Sequence, residues 1–187
     1  RNIFIFWECL SEACNLEVPK YSEITSVKSV LKLGNQFHAW CEDHKEQLSK
    51  LETIQCVNFD LTMLPAEIFS YLTNLQEVDL SGNKLTMLPV EIGHLKKLKK
   101  LFLSDNKLES LPVEIGNLSA LYQLNVRNNK LKSLPAEIGG LSRLIMLNLE
   151  NNMLKSLPAE IGSLSQLNML NLENNMLDLL PVEFGKL

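Results

Sequence analysis

Apolar residues recur at a fixed spacing over the second two-thirds of the chain. The pattern LxxLxLxxNxL occupies Leu144–Leu154 and returns 23 residues later at Leu167–Leu177. Its central LxL alternates apolar and polar positions, which predicts a short, half-buried strand. A fixed period of this size is typical of a solenoid, in which each unit buries its apolar face against the next unit.

Five regular copies carry an asparagine where the predicted strand ends. An asparagine amide can both donate and accept hydrogen bonds, so these side chains can pair with backbone groups of their own and the adjacent unit. We therefore predict a buried asparagine column that holds the turns together. Its members are Asn83, Asn106, Asn129, Asn152 and Asn175. A sixth, degenerate copy at Leu51–Leu61 has Phe59 at that position.

The other half of each unit reads LxxLPxEIGxL. Its proline suits the first turn of a short helical or 3-10 segment. In the unit that contains Pro89, we expect Ile92 and Leu95 to point inward. The glycine between them, Gly93, is expected to let the backbone turn towards the next strand.

These motifs resemble the leucine-rich repeat family, specifically its 23-residue subclass LPxxIGxLxxLxxLxLxxN, which occurs in Scribble-like, Ras-group and bacterial repeat proteins. The resemblance covers about 130 of the 187 residues, from Leu51 onward. It implies an α/β solenoid: a leucine-rich repeat horseshoe with a parallel β-sheet on the concave face and short helical or 3-10 segments on the convex face. We assign residues 51–187 to this domain, as about six repeats with the last one incomplete.

Residues 1–50 are predicted to form an α-helical N-terminal cap, because the open end of a solenoid exposes an apolar edge. The first segment, NIFIFWECL, suits a short helix or a short strand. Ser22 can N-cap a following helix, and Gly34 is expected to end it. A second helix is predicted over Asn35–Leu51. Phe69 and Tyr71 are expected to pack back onto this cap.

The stretch LPAEIFSYL at Leu64–Leu72 also resembles the opening of an F-box. An F-box needs a three-helix bundle of about forty residues, whereas these residues lie in register with the repeats. We therefore favour the repeat interpretation.

Composition narrows the partner class. The net charge is −4 and the pI is about 5.5, which argues against nucleic acid or an anionic membrane as the partner. No apolar run reaches transmembrane length. We expect a monomer without cofactors. The last repeat stops midway, and we expect the parent chain to continue.

All four cysteines precede the regular repeats, without the close-set pair of extracellular repeat caps. We therefore expect reduced thiols and a cytoplasmic protein, with secretion as an effector left open. A zinc site is an alternative, because the spacing of four potential ligands is near that of known zinc sites. A nucleophilic Cys41–His44 pair is another, although no catalytic motif surrounds it. Buried packing is the preferred interpretation. The four potential zinc ligands are Cys9, Cys14, Cys41 and His44.

Partner-binding positions follow from the strand alternation, because the x residues of xLxLxx face the concave side. Phe102 is an aromatic residue in a polar column and a candidate hot spot. The candidate partner-binding residues are Glu77, Asp79, Lys100, Phe102, Asp105, Gln123, Asn125, Arg127, Met146, Asn148, Glu150, Met169, Asn171 and Glu173.

The sequence predicts a non-enzymatic interaction module that binds a protein or peptide through its concave face. The alternative is the substrate-recognition part of a larger enzyme or effector, such as a ubiquitin ligase, with its catalytic domain outside this chain. One fold hosts many functions, so the resemblance alone does not identify the partner.

Overall fold

The computed structural model describes residues 2–16 and 27–186. Three helices precede the repeats: α1 (Asn2–Cys14), α2 (Val27–Asp43) and α3 (Lys45–Lys50). Six strands follow within the described residues: β1 (Thr53–Gln55), β2 (Glu77–Asp79), β3 (Lys100–Phe102), β4 (Gln123–Asn125), β5 (Met146–Asn148) and β6 (Met169–Asn171). Each strand is followed by a 3-10 helix: Ala66–Ser70, Val90–His94, Val113–Asn117, Ala136–Gly140, Ala159–Ser163 and Val182–Lys186.

The six strands form one parallel sheet in chain order. The register follows the repeat period, so that Leu101 lies between Val78 and Leu124. The central residue of β1 to β5 is buried, and the residues on either side of it point to the opposite face. The predicted leucine-rich repeat solenoid is confirmed, because the buried leucines of successive units pack together in one continuous core.

The 3-10 helices cover the other side of the core. Ile92 and Leu95 are buried, as their spacing predicted. Pro89 stands immediately before the helix Val90–His94 instead of within its first turn, with extended backbone angles of −69° and 149°. Proline therefore sets the chain direction into the helix and loses no helical hydrogen bond.

The glycines of the LPxEIG segments have a different role from the predicted one. None of them has a left-handed backbone. The glycine with a positive φ angle among the described residues is Gly82, which lies outside these segments. A Cβ atom on Gly116 would instead lie 2.3 Å from the carbonyl oxygen of Glu137 in the next repeat. Adjacent 3-10 helices approach so closely that only a residue without a side chain fits between them.

An α-helical cap closes the start of the solenoid. The Trp7 ring contacts Phe37 and Trp40, with centroid distances of 5.3 and 5.6 Å. Tyr71 fulfils the predicted contact with the cap, since its hydroxyl donates to a Glu42 carboxylate oxygen at 2.6 Å. That hydrogen bond, with smaller effects of desolvation and nearby charge, raises the pKa of Tyr71 to about 12. Phe69 is buried beside it.

The helix boundaries of the cap differ from the prediction. The expected stop at Gly34 is wrong, because α2 continues through it to Asp43. A single glycine costs about 1 kcal/mol in a helix interior, which the burial of Phe37 and Trp40 on the same helix offsets. The predicted second helix is divided at His44, which separates the end of α2 from the start of α3 at Lys45. The predicted cap residue Ser22 lies outside the described residues.

A disulfide joins the cap to the first repeat. Cys9 of α1 bonds to Cys56 after β1, with a Cα–Cα distance of 6.0 Å and a sequence separation of 47. The expectation of four reduced thiols was therefore wrong, although Cys14 and Cys41 are free. Short-range cysteine spacing could not reveal the pair, because only the packing of α1 against β1 brings these residues together.

No helix among the described residues has both the length and the apolar character to span a bilayer.

Candidate functional site

The outward side of the sheet is a continuous surface of two side-chain columns, here called the sheet face. All its side chains are exposed or half-exposed. The first column is Thr53, Glu77, Lys100, Gln123, Met146 and Met169, and the second is Gln55, Asp79, Phe102, Asn125, Asn148 and Asn171. Strand pairing thus brings the predicted partner-binding positions of the strands onto one surface.

Four side chains of the second column also shape the strand ends. Each uses its side-chain oxygen to accept a hydrogen bond from the backbone N–H two residues later, at 2.9 to 3.1 Å. This local pairing holds the side chains upright and reduces the entropy lost when they bind. The four residues are Asp79, Asn125, Asn148 and Asn171. Phe102 occupies the same column and has no such oxygen.

Two ion pairs cross the surface between neighbouring repeats. Lys100 lies 3.0 Å from Glu77, and Arg127 lies 3.3 Å from Glu150. The hydrogen bond to Glu77, followed by its charge, raises the pKa of Lys100. Both pairs are partly open to solvent, which screens their charges, so each contributes little to stability.

The remaining predicted carboxylates pair with no cation within the described part of the chain. They are Asp79, Asp105 and Glu173. Five carboxylates against two cations give the predicted binding residues a net charge of −3. The surface is therefore acidic, with the ion pairs concentrated over β2 to β5.

Apolar contact on the sheet face comes from one aromatic ring and two methionines. Phe102 is half-buried and lies between Asp79 of β2 and Asn125 of β4 in the second column. Met146 is half-buried, and Met169 is 53% exposed. Around the methionines lies a depression of about 110 Å³ lined by Gln123, Leu124, Asn125, Met146, Leu147, Asn148, Met169 and Asn171. This volume is below the size of ordinary small-molecule pockets.

The asparagine column lies directly behind the sheet face. The Asn129 Oδ1 atom accepts the Leu108 N–H at 2.9 Å. Its Nδ2 atom donates to the carbonyl oxygens of Leu103, Val126 and Arg127 at 2.9, 3.0 and 3.1 Å. Asn83, Asn106, Asn152 and Asn175 repeat this arrangement. Each amide therefore joins its own repeat to the preceding one.

A second polar column, whose hydrogen bonding the sequence analysis did not predict, stands one residue earlier. Asp105, Asn128, Asn151 and Asn174 adopt left-handed backbone angles, with φ between 53° and 56°. The Asn128 amide donates to Asp105 at 2.7 Å, and Asn151 and Asn174 continue the chain at 2.6 and 2.7 Å. The available signal was the repeated Asn-Asn pair, since asparagine tolerates this backbone region. Asp105, predicted to bind a partner, is thus one end of a hydrogen-bonded chain.

The alternative chemistry of the cap finds no geometric support. Cys9 is bonded to Cys56, so it cannot complete a zinc site with Cys14, Cys41 and His44. The described residues contain no group of three or more potential metal ligands. Burial, with smaller contributions from Glu67 and Glu42, raises the pKa of the Cys41 thiol to about 12. This thiol is therefore protonated at neutral pH and is not a thiolate nucleophile.

Two family profiles match this chain. A profile described as a leucine-rich repeat region matches residues 98–171. Another, described as a leucine rich repeat, matches residues 49–108. Among curated proteins, none matches this chain in sequence.

Several solved structures resemble the fold. The leucine-rich repeat ectodomain of the Arabidopsis thaliana membrane receptor kinase GASSHO1/SCHENGEN3, in complex with CASPARIAN STRIP INTEGRITY FACTOR 2, is 35% identical with a TM-score of 0.68, over 75% of this chain and 18% of that one. A TDR receptor is 27% identical with a TM-score of 0.67, over 79% and 26%. The functional domain of InlJ from Listeria monocytogenes is 28% identical with a TM-score of 0.65, over 76% and 30%. The chain spans less than a third of each structure.

Proposed function

Because this chain belongs to the leucine-rich repeat family, we propose that its sheet face binds a segment of a protein partner. Proteins of this family serve in general as non-enzymatic binding scaffolds, and the GASSHO1/SCHENGEN3 ectodomain was solved in complex with another factor. The observation that carries the proposal is the strand register, which places two uninterrupted columns of side chains on an accessible surface.

The chemistry of the surface favours a partner segment that is basic and partly apolar. Asp79, Asp105 and Glu173 offer negative charge that no cation of the described chain neutralises. Phe102 and Met169 offer apolar contact beside those charges. Lysine or arginine next to an apolar side chain would satisfy both features, and charge complementarity would speed association.

The test is capture of partners by the immobilised protein, compared with the variant Phe102→Ala/Asp79→Asn. We expect the variant to lose specific partners, because it removes an aromatic contact and a carboxylate that no cation of the described chain neutralises, while the Asn side-chain oxygen can still accept the Ser81 N–H. The matched control is Val113→Ala/Glu109→Gln. It removes an exposed apolar side chain and the carboxylate of the Lys132–Glu109 ion pair, both away from the sheet face.

Circular dichroism melting of both variants establishes that they fold as the wild type does. Partners retained by the control and lost by the sheet-face variant support the proposal. Equal loss from both variants, or no loss from either, contradicts the assignment of binding to the sheet face.

A further inference from the structure

A cleft lies outside the sheet face, on the flank of the solenoid where the chain enters β3, β4, β5 and β6. Its volume is about 480 Å³, which falls within the usual range of binding pockets, about 300–1,000 Å³. The lining residues are Lys99, Ala120, Tyr122, Arg143, Ile145 and Gln166. None of them belongs to the columns of the sheet face.

The cleft exists because one repeat has a small residue where the others have long ones. Ala120 occupies the position that Asn74, Lys97, Arg143 and Gln166 fill in the other repeats. A side chain that ends at Cβ leaves open the space that those residues occupy. The gap is therefore a local departure from an otherwise regular surface.

The walls of the gap are apolar where the other repeats are polar. Tyr122 and Ile145 stand in a column that otherwise contains Glu52, Gln76, Lys99 and Asn168. They lie side by side in adjacent repeats, where the Ile145 N–H donates to the Tyr122 carbonyl oxygen at 2.8 Å. Ile145 is 44% exposed. An aromatic ring and an aliphatic side chain thus form a continuous apolar strip beside the gap.

Two cations border the strip. Lys99 donates to the neutral Gln76 side chain at 2.7 Å and makes no salt bridge to a carboxylate within residues 2–16 and 27–186. Arg143 has no carboxylate partner among the residues that the structure describes. Glu52 and Glu77 line a neighbouring cavity of about 270 Å³, which shares Lys99 and Tyr122 with the cleft, but they do not line the cleft itself. The sign of the charge is therefore opposite to that of the sheet face.

We propose that this cleft is a second binding site, which takes an acidic peptide segment of a protein partner with an aromatic or aliphatic side chain between its carboxylates. The apolar side chain lies on Tyr122 and Ile145 above Ala120. The flanking carboxylates meet Lys99 and Arg143. The cleft extends across four neighbouring units, which are three strand spacings of about 4.8 Å each, a length that about four residues of extended peptide match. An amide at Gln166 can donate to the peptide backbone.

The test uses a fluorescein-labelled peptide, Gly-Ser-Asp-Asp-Phe-Glu-Glu-Ser-Gly, titrated with the intact protein and followed by fluorescence anisotropy. Two comparison peptides replace the four acids by Asn and Gln, or the Phe by Ser. We expect measurable binding below about 1 mM for the acidic peptide, and about tenfold weaker binding for each comparison peptide.

Variants locate the site. Ala120→Gln introduces the side chain that the same position carries at Gln166, so it fills the cleft in a manner the fold already accommodates. Arg143→Gln removes one charge at constant size. Each is expected to weaken binding of the acidic peptide about tenfold. Lys155→Gln, which removes an exposed cation outside the cleft, and the sheet-face variant Phe102→Ala/Asp79→Asn should bind as the wild type does.

Three results would overturn the proposal. The first is no binding of the acidic peptide, or equal binding of the neutral one. The second is unchanged binding by Ala120→Gln when circular dichroism shows that it is folded. The third is tighter binding of a labelled single-stranded oligonucleotide or of phosphatidylserine vesicles, which would identify an ordinary polyanion surface. Because these readouts do not involve the sheet face, they stand or fall independently of the proposed function.

Discussion

The asparagine column allows a quantitative test of what holds the repeats together. Replacing Asn129 by Ala removes the acceptor of the Leu108 N–H and the donor of three carbonyl oxygens. Leu108 makes no other backbone hydrogen bond through its N–H among the described residues. Asn129 is 8% exposed, so water has little access to these groups.

The expected cost follows from this burial. An unsatisfied buried donor costs about 1–3 kcal/mol, and the three carbonyl oxygens, which retain other contacts, add less than that in total. We expect Asn129→Ala to lower the free energy of unfolding by about 2–4 kcal/mol. Urea unfolding followed by far-ultraviolet circular dichroism measures the difference, provided that the dependence on urea is unchanged.

Asn175 provides the matched control. Its side chain makes the same set of contacts, with the Leu154 N–H at 3.1 Å and carbonyl oxygens at 2.9 to 3.4 Å, but it is only half-buried. Water can replace the lost amide there, so Asn175→Ala should cost about 1 kcal/mol or less. If both variants lose the same stability, the cost does not arise from desolvated backbone groups and the reasoning is refuted.

Two further substitutions test the cap and the close packing of the 3-10 helices. Cys56→Ser opens a disulfide-closed segment of 47 residues, which corresponds to about 4 kcal/mol of chain entropy, and a reducing agent should lower the melting temperature of the wild type but not that of the variant. Equal sensitivity of both proteins to the reducing agent would contradict this role. Gly116→Ala should destabilise by about 1–3 kcal/mol, because its Cβ meets the Glu137 carbonyl oxygen. Gly34→Ala, in the interior of α2 with open space around it, should instead stabilise the protein by about 0.5–1 kcal/mol. Urea unfolding measures both changes in the free energy of unfolding, and two changes of the same sign would contradict this reasoning.

The periodic part of this molecule was predictable from sequence because the same physical requirement recurs in every unit. The leucines and the asparagine of the motif recur in five copies, so their positions can be predicted without knowledge of any single distant contact. The strand register followed directly from the 23-residue period, and the pairing of Leu101 with Leu124 agrees with it.

The features that the prediction missed depend on contacts between distant residues or on single departures from the repeat. Cys9 and Cys56 meet only because α1 packs on β1. Gly116 is required by the carbonyl group of Glu137, which belongs to the next unit. Ala120 matters because its side chain ends at Cβ, and the space that this leaves becomes evident only when the neighbouring side chains have positions.

The close stacking of adjacent units determines how the length of this protein can change. Removing residues 121–143 would join Ala120 to Leu144 and set Asn106 next to Asn152, so both polar columns would close again without a gap. Removal of one residue within a unit would instead displace every later leucine from its column. The shortened protein would also lose Tyr122 and Arg143, and with them the flank cleft. Whole units can therefore be lost or gained at small cost to folding, while each such change adds or deletes a particular binding feature.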